Sequence, residues 1–184
     1  MIYVFLAPGF EEMEAVITID MLRRADCAVT TAAVSPNART VIGSHGIPIV
    51  CDKLAAEVSP EDCRAVVLPG GMPGTKNLEA SPIVQHFLDC AAQENRLIAA
   101  ICAAPLILGH KGLLQGKNAV CFPGFEPELH GASLCDAPAC RDGSIITGKG
   151  AGTAVDFAAA LIAALRNPQC ADNVKESMQC PSHL

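Results

Sequence analysis

The sequence predicts an α/β fold, a doubly wound and mostly parallel sheet with helices on both faces. Three observations lead there. Short continuous apolar runs, the signature of strands buried on both faces, alternate with stretches of helical period. The links between them are short and rich in Gly and Pro. Parallel strands need crossover connections, which the intervening helices supply.

Element by element, Ile2 to Ala7 is an apolar run stopped by Pro8-Gly9, predicting a central strand. From Glu11 to Arg24 the residues Met13, Val16, Ile17, Met21 and Leu22 recur at helical spacing. Acidic residues occupy the first turn and Arg23-Arg24 the last, as the helix dipole favours. Cys27 to Val34 reads as the next strand. Val41 to Cys51, broken by Gly43, Gly46 and Pro48, reads as an edge hairpin or irregular strand. Ala65 to Leu68 is a strand ending in the turn Pro69-Gly70-Gly71-Met72-Pro73-Gly74. Pro82 to Asn95 follows as a helix, Leu97 to Ile101 as a strand, and Ala103 to Gly109 as a helix with Pro105 in its first turn. Ser144 to Thr147 is the last predicted strand, Gly148 to Gly152 a turn, Thr153 to Leu165 a helix capped by Thr153 or its neighbours, and Gln169 to Met178 the final helix.

Composition narrows the function classes. At 184 residues the chain is expected to be one domain, 1-184, burying roughly 70% of the surface its unfolded form exposes. It is 51% hydrophobic and only 17% charged, which predicts compact folding without help from disulfide or metal. A net charge of -6 without any Lys/Arg cluster argues against nucleic acid and anionic membranes as partners. The N-terminal run lacks the basic region and length of a signal peptide, and no apolar run reaches the roughly 18 residues of a membrane span. The expected location is the cytoplasm. Ten cysteines are scattered without CxxC pairs or zinc-ligand spacing, so a metal site is not expected.

Ligands in such sheets bind at the carboxyl ends of the strands, which singles out Pro8-Gly9-Phe10-Glu11, Gly70-Gly71-Met72 and Ile101-Cys102-Ala103. Cys102 stands where an apolar strand meets a helix of small residues, Ala99-Ala100-Ile101-Cys102-Ala103-Ala104-Pro105. That is how a nucleophile elbow reads. The first N-H groups of the helix would favour the thiolate and lower its pKa below the free value of about 8.5. On these residues alone, a buried cysteine at a helix start is an equally good reading.

Four segments together resemble the DJ-1/PfpI family: Pro8 to Glu14, Val66 to Gly71, Ala99 to Pro105 and Thr147 to Thr153, in the family's order and spacing. The resemblance covers essentially the whole chain and is greatest to the small bacterial DJ-1-like branch, historically labelled ThiJ. It implies a flavodoxin-like fold, a homodimer, and a reactive cysteine at Cys102 beside a glutamate at Glu14. A carboxyl packed against the thiolate would keep its proton and donate a hydrogen bond. Glu11 and Glu12 are expected on the solvated face of the helix. Gly71 and Ala103 match the positions whose N-H groups form an oxyanion pocket over the sulfur.

Two departures from the family stand out. Where many members carry a histidine after the strand that follows the elbow helix, the segment is Val120-Cys121-Phe122-Pro123-Gly124, and Phe122 takes the matching position. Of His45, His86, His110, His130 and His183, all expected at the surface, His130 is the least implausible substitute. A peptidase, which needs such a base and acid, is disfavoured. The branch's hairpin arginine is replaced by His45 in Gly43-Ser44-His45-Gly46, leaving His45, Arg23 and Arg24 as candidate interface or anion contacts.

The resemblance implies a glutathione-independent glyoxalase or deglycase-like activity on reactive carbonyls or glycated protein, without metal or cofactor. The alternative is a redox sensor or chaperone in which Cys102 is oxidised to the sulfinic acid.

Overall fold

The computed structural model describes residues 1-180. Its main sheet has seven strands. β1 (Ile2–Leu6) leads through α1 (Glu12–Arg24) to β2 (Val29–Ala33). A hairpin of β3 (Thr40–Ile42) and β4 (Pro48–Val50) precedes the short edge strand β5 (Lys53–Leu54). β6 (Ala65–Leu68) is followed by α2 (Gly74–Glu79) and α3 (Pro82–Gln93), and β7 (Leu97–Ile101) by α4 (Pro105–His110). Two short strands, β8 (Asn118–Ala119) and β9 (Ser133–Leu134), pair with each other. The chain then returns through β10 (Ala139–Asp142) and β11 (Ile145–Gly148) to α5 (Ala154–Leu165) and α6 (Pro168–Ser177).

The strand order is β10-β11-β7-β6-β1-β2-β5, parallel throughout except for the antiparallel edge strand β10. This is the mostly parallel, flavodoxin-like α/β sheet with helices on both faces. Alternate residues of each central strand feed two separate cores. Val4, Leu6, Val67, Ala99 and Ile101 pack towards α1, α5 and α6. Tyr3, Phe5, Val66, Leu68, Ile98 and Ala100 pack towards α3 and α4. That period of two is why the strands read as unbroken apolar runs. On the second face the rings of Phe5 and Tyr3 meet Phe87 edge-on, with centroids 5.0 and 5.3 Å apart, the preferred aromatic arrangement.

Several boundaries differ from the sequence expectation. The turn predicted over 69-74 gives way at Gly74 to α2, whose sequence GTKNLE has too few apolar residues to show a helical period. β5, β8 and β9 are two residues long, below the length at which alternation registers, and β10 alternates weakly. α4 begins at Pro105 rather than Ala103, because proline suits the first helical position, where its missing N-H is not needed. Thr153 does not cap α5 in the usual way; its hydroxyl donates to the Gly150 carbonyl at 2.9 Å. Among the described residues no helix is long and apolar enough to cross a membrane.

Candidate active site

β7 ends at Ile101, and the next residue turns sharply: Cys102 has φ +65°. A non-glycine residue in that region costs of order 1–3 kcal/mol and persists only where its surroundings hold it. Here the Cys102 N-H donates to Gly148 O at the end of β11, and Cys102 O accepts the Phe122 N-H, both at 2.9 Å. The turn thus lifts a half-buried sulfur above the carboxyl ends of β6 and β7.

Glu14 reaches the same place from the first turn of α1. Its N-H caps the helix onto Glu11 Oε2 at 2.7 Å. Its side chain is buried, 1% exposed, and Oε2 accepts the Gly70 N-H at 2.8 Å, while among the described residues Oε1 has no hydrogen-bond partner of ordinary geometry; the carboxyl faces the Cys102 thiol. Gly70 O in turn accepts the Glu11 N-H at 2.9 Å, so one residue of the β6 turn ties down both the start of α1 and its carboxyl. Only glycine fits there. A Cβ on Gly70 would stand 2.6 Å from Cys102 Cβ, 2.8 Å from Glu14 Oε2 and 2.8 Å from Ile101 O.

Electrostatically the two acids form one unit. Burial pushes Glu14 up to about 7, against the Gly70 N-H and the Cys102 thiol, which lower it. Burial, then the charge of an ionised Glu14, pushes Cys102 up to about 12, against the N-H groups of Gly71 and Ala103 that hydrogen-bond the sulfur. The expectation of a thiol lowered by the helix start is therefore corrected. The N-H groups that act on the sulfur are the expected ones, of Gly71 and Ala103, but burial outweighs them while Glu14 is charged. Once the pair has lost one proton, the remaining one therefore rests mainly on the sulfur, and the thiolate beside a protonated Glu14 is the minor tautomer of that state, so the titration belongs to the pair.

The other singled-out residues scatter. Gly71, at φ +87°, sits so close to Gly9 and Glu11 that a Cβ would lie 2.5 Å from Glu11 N. Arg23 and Arg24 lie at the far end of α1, about 13 Å along the axis from Glu14, engaged by Asp52 at 2.8 Å and Asp20 at 2.6 Å. The structure does not bring them to Cys102. His45 is exposed and its Nδ1 lies 2.9 Å from Glu12 Oε2.

Glu12 corrects a sequence expectation. It is buried, not solvated, and accepts from His45 N at 2.7 Å, Ser44 Oγ at 3.2 Å and Ile47 N at 3.4 Å, with the imidazole alongside. Burial would raise its pKa, but these bonds together hold it down at about 2. The carboxylate thereby fastens the β3-β4 hairpin to α1. Sequence reasoning singled out the Gly70 turn but not Gly70's bond to Glu14, and it missed the role of Glu12, which nothing local marked.

Phe122, at the position matching the family histidine, places its N-H on Cys102 O and keeps its ring 46% exposed. His130 lies instead beside His110, at the end of α4 away from Cys102, with ring centroids 5.2 Å apart. His183 lies outside the described residues. Two groups of three side chains among the described residues have metal-ligating potential, Glu11-Glu12-His45 and His110-Glu128-His130. In the first, both Glu12 oxygens are already occupied by the hairpin.

Residues 1-164 match the DJ-1/PfpI family. The chain belongs to that family. It is 39% identical over 157 residues to protein dj-1beta of Drosophila melanogaster, covering 84% of this chain and 83% of that one. The solved structure of oxidised Toxoplasma gondii DJ-1 superposes with a TM-score of 0.92 at 35% identity, covering 97% of both chains. A glutathione-independent glyoxalase of Caenorhabditis elegans is 29% identical over 161 residues, covering 86% of this chain and 84% of the relative. Within this DJ-1/PfpI chain, then, the elbow cysteine faces a buried carboxyl, and the position after the following strand carries an aromatic ring.

Proposed function

We propose that the chain is a glutathione-independent glyoxalase acting in the cytoplasm on small reactive carbonyls, with Cys102 as nucleophile and Glu14 as acid and base. The observation that carries this reading is the buried Glu14 carboxyl, pushed up to about 7 beside the elbow sulfur. A catalytic acid and base works best with a pKa near the operating pH.

With the proton on Glu14, the Cys102 thiolate adds to the aldehyde carbon of methylglyoxal, forming a C-S bond. The oxygen of the adduct takes the Glu14 proton, with the N-H groups of Gly71 and Ala103 to stabilise negative charge during addition. The Glu14 carboxylate then removes the hydrogen from that same carbon, and the proton returns at the neighbouring carbon. The aldehyde carbon is thereby oxidised to a thioester while the ketone carbon is reduced to an alcohol. Water cleaves the C-S bond, releasing lactate and the thiol. The balance needs one water and no external oxidant. From a glycated protein's hemithioacetal or aminocarbinol, breaking of the C-S or C-N bond releases the protein thiol or amine and the free aldehyde to which Cys102 adds.

The test is lactate formation from methylglyoxal by the purified, reduced protein without glutathione or metal. Cys102→Ser abolishes it, and Glu14→Gln lowers kcat by about 10²–10⁴-fold. A second reading draws on Phe122, which offers no proton at the position of the family histidine: a sensor in which peroxide oxidises Cys102 to the sulfinic acid, held by Glu14, Gly71 and Ala103. No lactate from the wild type, with Cys102 still selectively oxidised by peroxide, overturns the enzyme and leaves the sensor.

The homodimer belongs to the same proposal. Val16 of α1 and Val50 of the hairpin, both exposed, line one groove with Ile19 and Ile49, and exposed Met13 and Ile47 extend the apolar face. His45 stands on that hairpin.

A further inference from the structure

Three separate segments converge at the end of α4 opposite Cys102. Glu79 closes α2, His110 closes α4, and the segment 126-130 returns across them. Gly109 sets how closely that segment approaches: any Cβ there would clash with Glu128 O and stand 2.9 Å from His130 N. Backbone rests on backbone, so the positions of Glu128 and His130 relative to His110 are set by the fold.

The side chains meet accordingly. His110 Nδ1 lies 2.6 Å from Glu79 Oε1, and His110 Nε2 lies 2.8 Å from Glu128 Oε2. His130 brings its ring 5.2 Å from that of His110, tilted by 37°. One ligand atom from each of His110, Glu128 and His130 falls within 4.8 Å of the others. An ion triad of His110 with its two carboxylates accounts for three of these residues, but not for a second imidazole against the first.

We propose that His110, Glu128 and His130 form a binding site for a divalent transition metal, zinc before others, with Glu79 orienting His110. Two imidazoles and a carboxylate are a common zinc donor set, with a fourth position left to water. Ligand atoms around tetrahedral zinc stand about 3.3 Å apart, so the His110-Glu128 pair, now at 2.8 Å, opens slightly around the ion and His130 adjusts within the 4.8 Å that spans the three atoms. Glu79 on Nδ1 directs Nε2 at Glu128, and a metal entering between those two atoms replaces their hydrogen bond, giving the carboxylate-histidine-metal arrangement that raises affinity. Bound zinc would clasp α2, α4 and the 126-130 segment together. Two residues away, Glu126 lines a surface pocket with Cys121, Cys135 and Lys149. Ligands drawn from positions 110, 128 and 130 fit no cysteine-based spacing, which is why the sequence carried no sign of them.

The test is a titration of the full, reduced protein with Zn²⁺ against a chromophoric chelator, repeated with Co²⁺ for its visible spectrum, since ten cysteines compete for either ion. The site predicts one tight equivalent whose cobalt form lacks a thiolate charge-transfer band. His110→Ala and His130→Ala each weaken it at least tenfold, and Glu79→Gln weakens it about tenfold. His130 is exposed, so its variant stays folded, which circular dichroism confirms. Affinity unchanged in His130→Ala, a thiolate band on the tight equivalent, or no binding at micromolar zinc would each overturn the proposal.

Discussion

Glu14 Oε2 accepts the Gly70 N-H at 2.8 Å, and that bond holds a buried carboxyl against the Cys102 thiol. The β6 turn thus sets the distance between the two acids on which the proposed chemistry depends. In the proposed reaction the two acids share one proton, and the predictions below follow from that sharing.

Gly70→Ala forces a methyl between Cys102 Cβ, Glu14 Oε2 and the Ile101 carbonyl. Cys102 Cβ and the Ile101 carbonyl are both fixed by the backbone, so the turn itself must shift. The expected result in chemical denaturation is a loss of about 1–3 kcal/mol. Lactate formation falls by more than the fraction unfolded explains.

Stability should fall as pH rises across the range where Glu14 ionises. Its folded pKa of about 7 stands above its ordinary 4.5. Its protonated form therefore carries full stability below pH 4.5, and that contribution is lost as pH rises through about 7. The loss amounts to roughly 3 kcal/mol. Denaturation of wild type and Glu14→Gln at both ends of the window checks this. The amide keeps the Gly70 acceptor and does not titrate, so the difference between the two proteins shifts by that amount.

Glu12 runs the other way. Held at about 2 by the hairpin's donors, it supports α1 and the β3-β4 hairpin above pH 4.5 and loses that contribution as pH falls through 2. Glu12→Ala leaves the N-H groups of His45 and Ile47 without their acceptor. Amide hydrogen exchange in residues 43-47 should rise at least tenfold, while β1 and β7 keep their protection.

The apolar face of α1 and the hairpin gives a prediction for assembly. Val50, 73% exposed, is expected to be covered in a dimer. Val50→Asp should move the sedimentation coefficient from that of a dimer to that of a monomer. A wild type that sediments as a monomer at micromolar concentration contradicts the proposed homodimer.

How much of this could be read beforehand follows the range of the interactions. The strands β1, β6 and β7 and the helices α1, α3 and α5 announce themselves, because each buries a long periodic face. The four ordered motifs identify the elbow and its glutamate. What escaped is what separate segments make jointly. Glu12 reads as a solvated first-turn acid until residues 32 to 35 positions later close over it. The thiol reads as lowered as long as only N-H donors are counted, because burial and a neighbouring charge are properties of the folded site. The shortest strands and α2 carry too few residues for any period to show.

The most direct test of the shared proton is the pH dependence of Cys102 alkylation by iodoacetamide, followed at that residue by mass spectrometry in wild type and Glu14→Gln. The dyad predicts a wild-type rate that rises through about pH 7 to a plateau, as loss of the first proton makes the thiolate partnered by protonated Glu14 available. In Glu14→Gln that midpoint disappears and a single thiol titration remains. A midpoint near 7 that survives in Glu14→Gln would contradict the account, since the carboxyl would then have no part in making the thiolate.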